Sequence, residues 1–114
     1  MSNCLFCKMA SGEIPVQPVY EDDRVFVIRD INPQAPAHLL AIPREHYGAI
    51  HEVPPEKQSL FQSLFGAIVK VVAAEKLDAA GYRLVINSGE SAGQSVGHIH
   101  VHVLGGRTLH WPPG

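Results

Sequence analysis

His98-Ile99-His100-Val101-His102-Val103-Leu104 alternates histidine with aliphatic residues and ends on two aliphatic positions. In a β-strand, side chains alternate between faces, and residues two apart lie ~6.6–7 Å apart on one face. We therefore predict a strand that displays three imidazoles on one face and packs the aliphatic residues on a core. Solvated strand faces more usually carry Thr, Lys, Glu or Ser, so the pattern indicates a chemical task rather than three surface histidines by chance.

Two chemistries suit three imidazoles on one strand. One is a catalytic zinc site, in which three histidines leave a coordination position for water. The other is nucleophilic catalysis, in which a neutral imidazole attacks and a covalent intermediate divides one hard step into two. Ligands spread along ~13 Å of strand cannot all reach one ion at ~2.0–2.1 Å. The spacing therefore favours the nucleophile.

The loop before this strand, residues 89–97, is small, polar and rich in glycine. Such a loop can turn successive backbone N–H groups toward an anion. It does not precede a helix, so it is not a Walker loop. Beside a histidine nucleophile, we interpret it as a phosphate cradle.

The remaining pattern predicts an α+β fold. Helical spacing of apolar residues from Pro54 to the stop at Gly81 predicts the main helix, and a short N-terminal helix is expected over residues 4–11. About five strands in an antiparallel sheet, within a single domain of residues 1–114, complete the prediction. The strands are expected over residues 16–20, 24–29, 38–42, 82–87 and 98–104.

Composition excludes several classes of protein. The chain has 114 residues, 46% of them hydrophobic, and a formal net charge of −2. No basic run of the kind that binds a nucleic acid polymer or an anionic membrane is present, and no apolar stretch approaches the roughly 20 residues of a membrane span. Met1-Ser2-Asn3-Cys4 does not begin a secretory signal, so a cytoplasmic location is expected. There, the two cysteines are expected to be thiols or metal ligands rather than a disulfide.

Cys4-Leu5-Phe6-Cys7 is a C-x-x-C unit. From the residues alone it could be half of a zinc site, a redox pair or two unrelated thiols. A thioredoxin-like motif would follow a strand in a βαβ pattern, and no such strand precedes this pair.

Taken together, these motifs resemble the histidine-triad (HIT) family, whose signature alternates three histidines with apolar residues and ends on two apolar positions. More specifically, the chain is similar to the Hint branch, the purine nucleoside phosphoramidases, and the resemblance spans nearly the whole chain. The supporting segments are Glu21-Asp22-Asp23, Asp30-Ile31-Asn32-Pro33-Gln34-Ala35-Pro36, His38, Gly93-Gln94-Ser95-Val96, Leu104-Gly105-Gly106-Arg107 and His110-Trp111-Pro112-Pro113-Gly114.

The resemblance implies a phosphoramidate hydrolase that needs no organic cofactor. His100 would attack the α-phosphorus of an amine-linked nucleotide, and water would hydrolyse the nucleotidyl-histidine. His102 would hold phosphate oxygens, His38 would support the histidine network, and Ser95 would donate toward the phosphate or the leaving amine. His98 completes the catalytic triad. Further nucleotide-binding positions would be Asp30 at the ribose, Ile31 and Leu40 at the base, Asn87 near ribose and phosphate, and the loop residues Gly93, Gln94, Ser95 and Val96.

Two further features follow from the resemblance. Relatives with the N-terminal cysteine pair bind a structural zinc ion, and the matching ligands here would be Cys4, Cys7, His46 and His98. A homodimer is implied, with the Trp111 tail near the partner's active site; alternatively, Trp111 packs on its own subunit. The helix face at Leu60, Leu64 and Ile68 is either the interface or intramolecular core.

Alternatives remain open at this level. On the same fold, the protein could be a dinucleoside polyphosphate hydrolase, or a nucleotide-binding or scaffold protein with low turnover. Gly97 also departs from the Tyr or Phe that the family often has just before the triad, which leaves the leaving-group side in question.

Overall fold

The computed structural model describes residues 3–114. Met1 and Ser2, the first two residues of the predicted domain, lie outside the described residues. Five antiparallel strands form one sheet in the order β1-β2-β3-β5-β4, with one main helix and a short N-terminal helix. This confirms the predicted fold class. The elements are α1 Leu5–Ala10, β1 Tyr20–Glu21, β2 Val25–Arg29, β3 Ala37–Pro43, α2 Ser59–Ala74, β4 Tyr82–Val85 and β5 Val101–Gly105.

The sheet is covered on both faces along its central strands. On the face toward α2, the valines of β2 at 25 and 27 pack with those of β5 at 101 and 103. On the other face, Phe6 of α1 covers Phe26, Ile28, Leu40 and Ile42. Strand β2 is therefore buried on both sides, which explains its almost uninterrupted apolar sequence.

Helix α2 contributes its apolar stripe to the first of these cores. Leu60, Leu64 and Ile68 are exposed by only 2%, 1% and 3%. This face is therefore intramolecular core, and the alternative that it forms a subunit interface is wrong. The helix instead leaves Phe65 and Val69 exposed, by 42% and 69%.

The strand predicted over residues 16–20 is much shorter than expected. Only Tyr20–Glu21 is extended against β2. Pro15 and Pro18 have no N–H to donate to a ladder. Hydrogen bonding to β2 therefore begins only at Val19, whose N–H donates to the carbonyl oxygen of Val27 at 2.8 Å.

The histidine strand also begins later than its sequence pattern predicts. The N–H groups of His98 and Ile99 donate to the carbonyls of Val96 and Tyr47 rather than to a neighbouring strand. The alternation nevertheless holds: Ile99 joins the core under α2, whereas His98 lies against Phe6 on the opposite side.

Among the described residues, no helix combines the length and the apolar character that crossing a membrane requires.

Candidate active site and metal centre

The imidazole of His100 is held in one orientation by the backbone just before β5. Its Nδ1 lies 2.8 Å from the carbonyl oxygen of His98, and the ring is buried, with 4% exposure. A carbonyl oxygen can only accept a hydrogen bond, so Nδ1 must donate. In the neutral ring, Nε2 therefore carries the lone pair, which is the arrangement that a nucleophile requires.

A chain of hydrogen bonds fixes the next histidine. The backbone N–H of Gln34 donates to Nδ1 of His38 at 3.0 Å, so in the neutral ring His38 carries its proton on Nε2. That nitrogen lies 2.9 Å from Nδ1 of His102 and donates to it. His102 is thereby left with its proton on Nε2, where it can act as a donor beside the nucleophile; the His100 and His102 rings are 5.1 Å apart between centroids.

The surroundings of His102 favour its uncharged imidazole. Burial lowers the pKa of His102 below its ordinary value of 6.5, and the neighbouring His100 and His38 lower it further, against an opposing effect of Asp30. At neutral pH, His102 is therefore a neutral hydrogen-bond donor. A neutral His102 adds no positive charge that would have to be desolvated in this half-buried site.

Asp30, His38 and His102 bring three possible ligand atoms within 4.8 Å of one another. The hydrogen bond from Gln34 argues against a metal there, since a neutral His38 that accepts on Nδ1 has no lone pair on Nε2. Asp30 Oδ2 instead lies 3.4 Å from this Nε2, and Asp30 Oδ1 accepts the N–H of Asn32 at 2.8 Å. These contacts make the group a hydrogen-bond relay.

A second cluster, which we call the Cys/His cluster, comprises Cys4, Cys7, His46 and His98, whose ligand atoms all lie within 4.8 Å of one another. Cys4 Sγ is 3.3 Å from His98 Nδ1, Cys7 Sγ is 3.2 Å from His46 Nδ1, and the two Nδ1 atoms are 3.0 Å apart. Tetrahedral zinc at its usual bond lengths would place such atoms about 3.3–3.8 Å apart. The three observed separations lie at or slightly below this range, so the set fits zinc in donor chemistry and would need only a small expansion in spacing.

His98 is prepared for a ligand role by its second nitrogen. Nε2 donates to the carbonyl oxygen of Pro43 at 2.7 Å, so Nδ1 carries the lone pair that faces the cluster, as metal-bound histidines commonly require. Burial lowers the pKa of His98, and the hydrogen bond to Pro43 opposes that effect. The structure thus brings together all four predicted ligands. His98 faces the Cys/His cluster, whereas His100 and His102 belong to the candidate active site.

The loop over residues 89–97 is held closed by one amide. Gln94 Oε1 accepts the N–H of Gly89 at 2.7 Å, while Nε2 donates to the carbonyls of Gly48 at 2.6 Å and Val96 at 3.1 Å. Gly89 and Gly93 have φ angles of 94° and 90°, which favour glycine at both bends. The side chain of Gln94 therefore shapes the loop, leaving the loop's backbone and the exposed Ser95 as its candidate phosphate contacts.

Some residues predicted to contact the base and the ribose lie on the surface, and others lie in the core. Ile31 is fully exposed, at 101%, and lines a mostly apolar cavity of about 520 Å³ together with Met9, Val16 and Ile28. Leu40 is buried at 8% in the cluster beneath Phe6. Asn87 is half-buried just after β4.

Three contributors to the site were not predicted from the sequence. Phe6 packs edge-on against both His98 and His100, and Gln34 sets the tautomer of His38 through its backbone. Arg107 donates from Nε and Nη2 to the carbonyl oxygen of Gln34, at 3.2 and 3.0 Å, and so fixes the turn that carries this N–H. The Gly-Gly-Arg motif after the triad was the available signal for Arg107.

The fold and the site define a small α+β domain with a buried histidine relay beside a Cys/His cluster. Comparison with known proteins identifies the class: the HIT domain model matches residues 11–109, and the chain belongs to the HIT domain family.

Individual relatives agree with this assignment over nearly their whole length. A HIT family hydrolase from Legionella pneumophila is 49% identical, with a TM-score of 0.94 over 98% of this chain and 100% of that one. A 14 kDa zinc-binding protein from Zea mays is 47% identical over 99% of this chain and 89% of its own. A histidine triad nucleotide-binding protein from Candida albicans is 31% identical, with a TM-score of 0.83 over 96% and 83%. Family and relatives support a hydrolase-type function.

Proposed function

We propose that the protein is a nucleoside phosphoramidate hydrolase, of the adenosine 5'-monophosphoramidase type, that releases AMP or another nucleoside monophosphate from an amine. The observation that carries the proposal is the hydrogen bond from His100 Nδ1 to the His98 carbonyl oxygen. It leaves an uncharged Nε2 lone pair in a buried ring, next to a neutral donor on His102. A neutral nucleophile and nearby donors suit an electrophilic phosphorus that is shielded by negative oxygens.

In the first step, Nε2 of His100 attacks the α-phosphorus while the P–N bond to the leaving amine breaks. The amine takes up a proton, for which the Ser95 hydroxyl is the proposed donor, and a nucleotidyl-His100 remains. Nε2–H of His102 donates to a phosphate oxygen as charge develops there. Because His38 donates to Nδ1 of His102, the donor stays on the side of His102 that faces away from His38.

In the second step, water attacks the same phosphorus and the P–Nε2 bond breaks. The nucleoside monophosphate leaves, the proton released by water returns to the Ser95 hydroxyl, and His100 is neutral again. Two displacements at one centre divide a single difficult hydrolysis into two easier steps.

The nucleotide is proposed to lie between the relay and the apolar cavity beside Ile31. Asp30 would accept hydrogen bonds from the ribose hydroxyls, since a carboxylate offers strong acceptors to paired hydroxyls. Ile31 would contact the base, with Leu40 behind the base pocket, and Asn87 would approach the ribose and phosphate. Support comes from the cavity's lining and from the nucleotide-binding relative of Candida albicans.

We propose one structural zinc ion on Cys4, Cys7, His46 and His98, and no organic cofactor. The ligand spacing and the His98 tautomer support it, as does the likeness to the zinc-binding protein of Zea mays. Bound zinc would cross-link the N-terminal segment to the start of the histidine strand. Four protein ligands leave no position for water, so the site belongs to the structural kind, and the catalytic steps run through the chain's own residues.

We also propose a cytoplasmic homodimer of one domain each, as the resemblance implies. The face available for it is the exposed side of α2 at Phe65 and Val69, with the edge strand β4, where Tyr82 is 46% exposed. Trp111 is 80% exposed on the single subunit, which argues against packing on its own chain and supports a role near the partner. Sedimentation equilibrium with Val69→Glu would test this: a monomeric variant from a dimeric parent is expected.

The direct test of the proposed reaction is release of AMP from an adenosine phosphoramidate. His100→Ala should abolish turnover, whereas His51→Ala, which changes an exposed histidine outside both histidine clusters, should keep it. Equal turnover in His100→Ala would refute the nucleophile. Cleavage of dinucleoside polyphosphates without phosphoramidates would reassign the substrate, and nucleotide binding without turnover of either would indicate a binding protein.

A further inference from the structure

We infer that Phe6 is a positioning residue, through which the Cys/His cluster orients the imidazole of His100. The inference deepens the proposed function, because it concerns how the nucleophile of that reaction is held. It begins from the place of Phe6 in the sequence: it stands inside the C-x-x-C unit, between two members of the cluster.

Phe6 touches both histidines that matter here. Its ring lies 5.7 Å from the ring of His98 at an interplanar angle of 86°, and 5.1 Å from the ring of His100 at 69°. Edge-to-face contacts of this kind have preferred geometries beyond simple burial. With 3% exposure, Phe6 has no room to move independently of its neighbours.

His98 provides a second connection in parallel. Its Nδ1 faces the cysteines, while its own carbonyl oxygen accepts the hydrogen bond from His100 Nδ1 at 2.8 Å. The His100 ring is therefore held by two contacts, the hydrogen bond to this carbonyl and the packing against Phe6. The two contacts together select the orientation in which Nε2 holds the lone pair for attack.

The position of Phe6 depends in turn on the cluster. Helix α1 has six residues, and isolated helices shorter than about 12–15 residues are marginal in water. Its C-terminal end is held by Arg44, which donates to the carbonyl of Ala10 at 3.4 Å. Its N-terminal end is held where Cys4 and Cys7 meet His46 and His98. Loosening that end would loosen Phe6, and with it the ring of His100.

The experiment compares Phe6→Ala and Phe6→Leu with Leu5→Ala, which truncates an exposed neighbour on the same helix. Phe6→Leu keeps an apolar side chain and should fold, so the test does not depend on the alanine variant. In both Phe6 variants, we expect kcat for an adenosine phosphoramidate to fall roughly 10- to 100-fold, the scale of a misplaced reacting group, with KM changed by less than about twofold. Leu5→Ala should match the wild type.

A readout without substrate accompanies the kinetics: ¹H–¹⁵N correlation of the imidazole nitrogens, which reports the tautomer of His100. We expect a single Nδ1–H form in the zinc-loaded wild type, and a mixture in the Phe6 variants and in the wild type after chelation. Unchanged His100 signals in Phe6→Leu, or signals indifferent to chelation, would overturn the inference and leave Phe6 an ordinary core residue. If the wild type fails to cleave phosphoramidates, the proposed function fails, while the spectra still decide the role of Phe6.

Discussion

Replacing His46 by alanine removes one ligand atom from the Cys/His cluster with little other loss, because His46 is exposed. His51 offers a matched control: it is an exposed histidine five positions further along and is absent from the cluster. If the cluster holds zinc, the two substitutions should differ sharply in their effect on stability, since a metal that binds only the folded chain stabilises it by mass action.

The size of the effect can be worked out. At free zinc about a thousandfold above Kd, binding contributes about 4 kcal/mol to the free energy of unfolding. For 114 residues, an unfolding entropy of about 2.1 cal/mol/K per residue gives about 0.24 kcal/mol/K. A loss of about 4 kcal/mol then lowers Tm by about 17 °C. Residual binding through three ligands would make the loss in His46→Ala somewhat smaller.

The assay is thermal unfolding followed by circular dichroism, with elemental analysis of protein purified without added metal. The wild type and His51→Ala should contain close to one zinc per chain and lose roughly 15–20 °C in Tm on chelation. His46→Ala should start near the chelated wild type and respond little. Metal stoichiometry near zero in the wild type, or equal Tm values for His46→Ala and His51→Ala, would refute the zinc site.

Three further predictions concern the relay and the loop. Because folding lowers the pKa of His102 from 6.5, the unfolded chain binds more protons, so the contribution of His102 to stability is complete above pH 6.5 and is lost as pH falls through the folded pKa. In urea unfolding, His102→Gln should weaken the pH dependence of the free energy of unfolding, and identical pH profiles for the variant and the wild type would contradict the shift. His38→Ala should lower the free energy of unfolding by about 1–3 kcal/mol, because the Gln34 N–H and the His102 Nδ1 both lose their hydrogen-bond partner, and it should also lower kcat. A fully active variant would rule out the relay. Gln94→Ala should raise KM about tenfold, because losing the hydrogen bonds that order the loop weakens substrate binding by about 1.4 kcal/mol, and it should speed amide hydrogen exchange at Gly89. Ser91→Ala in the same loop should change neither quantity, and equal behaviour of the two variants would show that Gln94 does not hold the loop.

Much of the fold could be predicted from local pattern. The alternation over His98–Leu104 predicted correctly which side chains share a face. Side chains in a strand alternate between its two faces, so burying Ile99, Val101 and Val103 on one face places the three histidines on the other. The helical spacing after Pro55 likewise predicted the helix whose inner face fills the core. The short β1 shows where pattern fails: a strand was expected over residues 16–20, but Pro15 and Pro18 have no N–H to donate, and pairing with β2 begins only at Val19.

The chemistry of the site was less accessible to sequence reasoning. Which nitrogen of His100 is protonated depends on the carbonyl of His98, and that of His38 depends on the N–H of Gln34. Backbone groups have no signature in a sequence, so neither tautomer could be predicted. The cysteine pair could be identified from the sequence as a possible half of a zinc site, but His46 and His98 came from the resemblance. Two cysteines at one end of the chain do not by themselves indicate histidines 39 and 91 residues away.

The central claim is that Nε2 of His100 becomes covalently bonded to phosphorus during turnover. The measurement is rapid acid-free quenching of the protein with an adenosine phosphoramidate, followed by mass spectrometry with fragmentation across the peptide that contains the triad. The account predicts one adenylyl group on His100, in an amount that rises and decays on the timescale of a single turnover, and none in His100→Ala. An adenylyl group on His98 or His102, or full turnover with no covalent species and with inverted configuration at a chiral phosphorus, would contradict it.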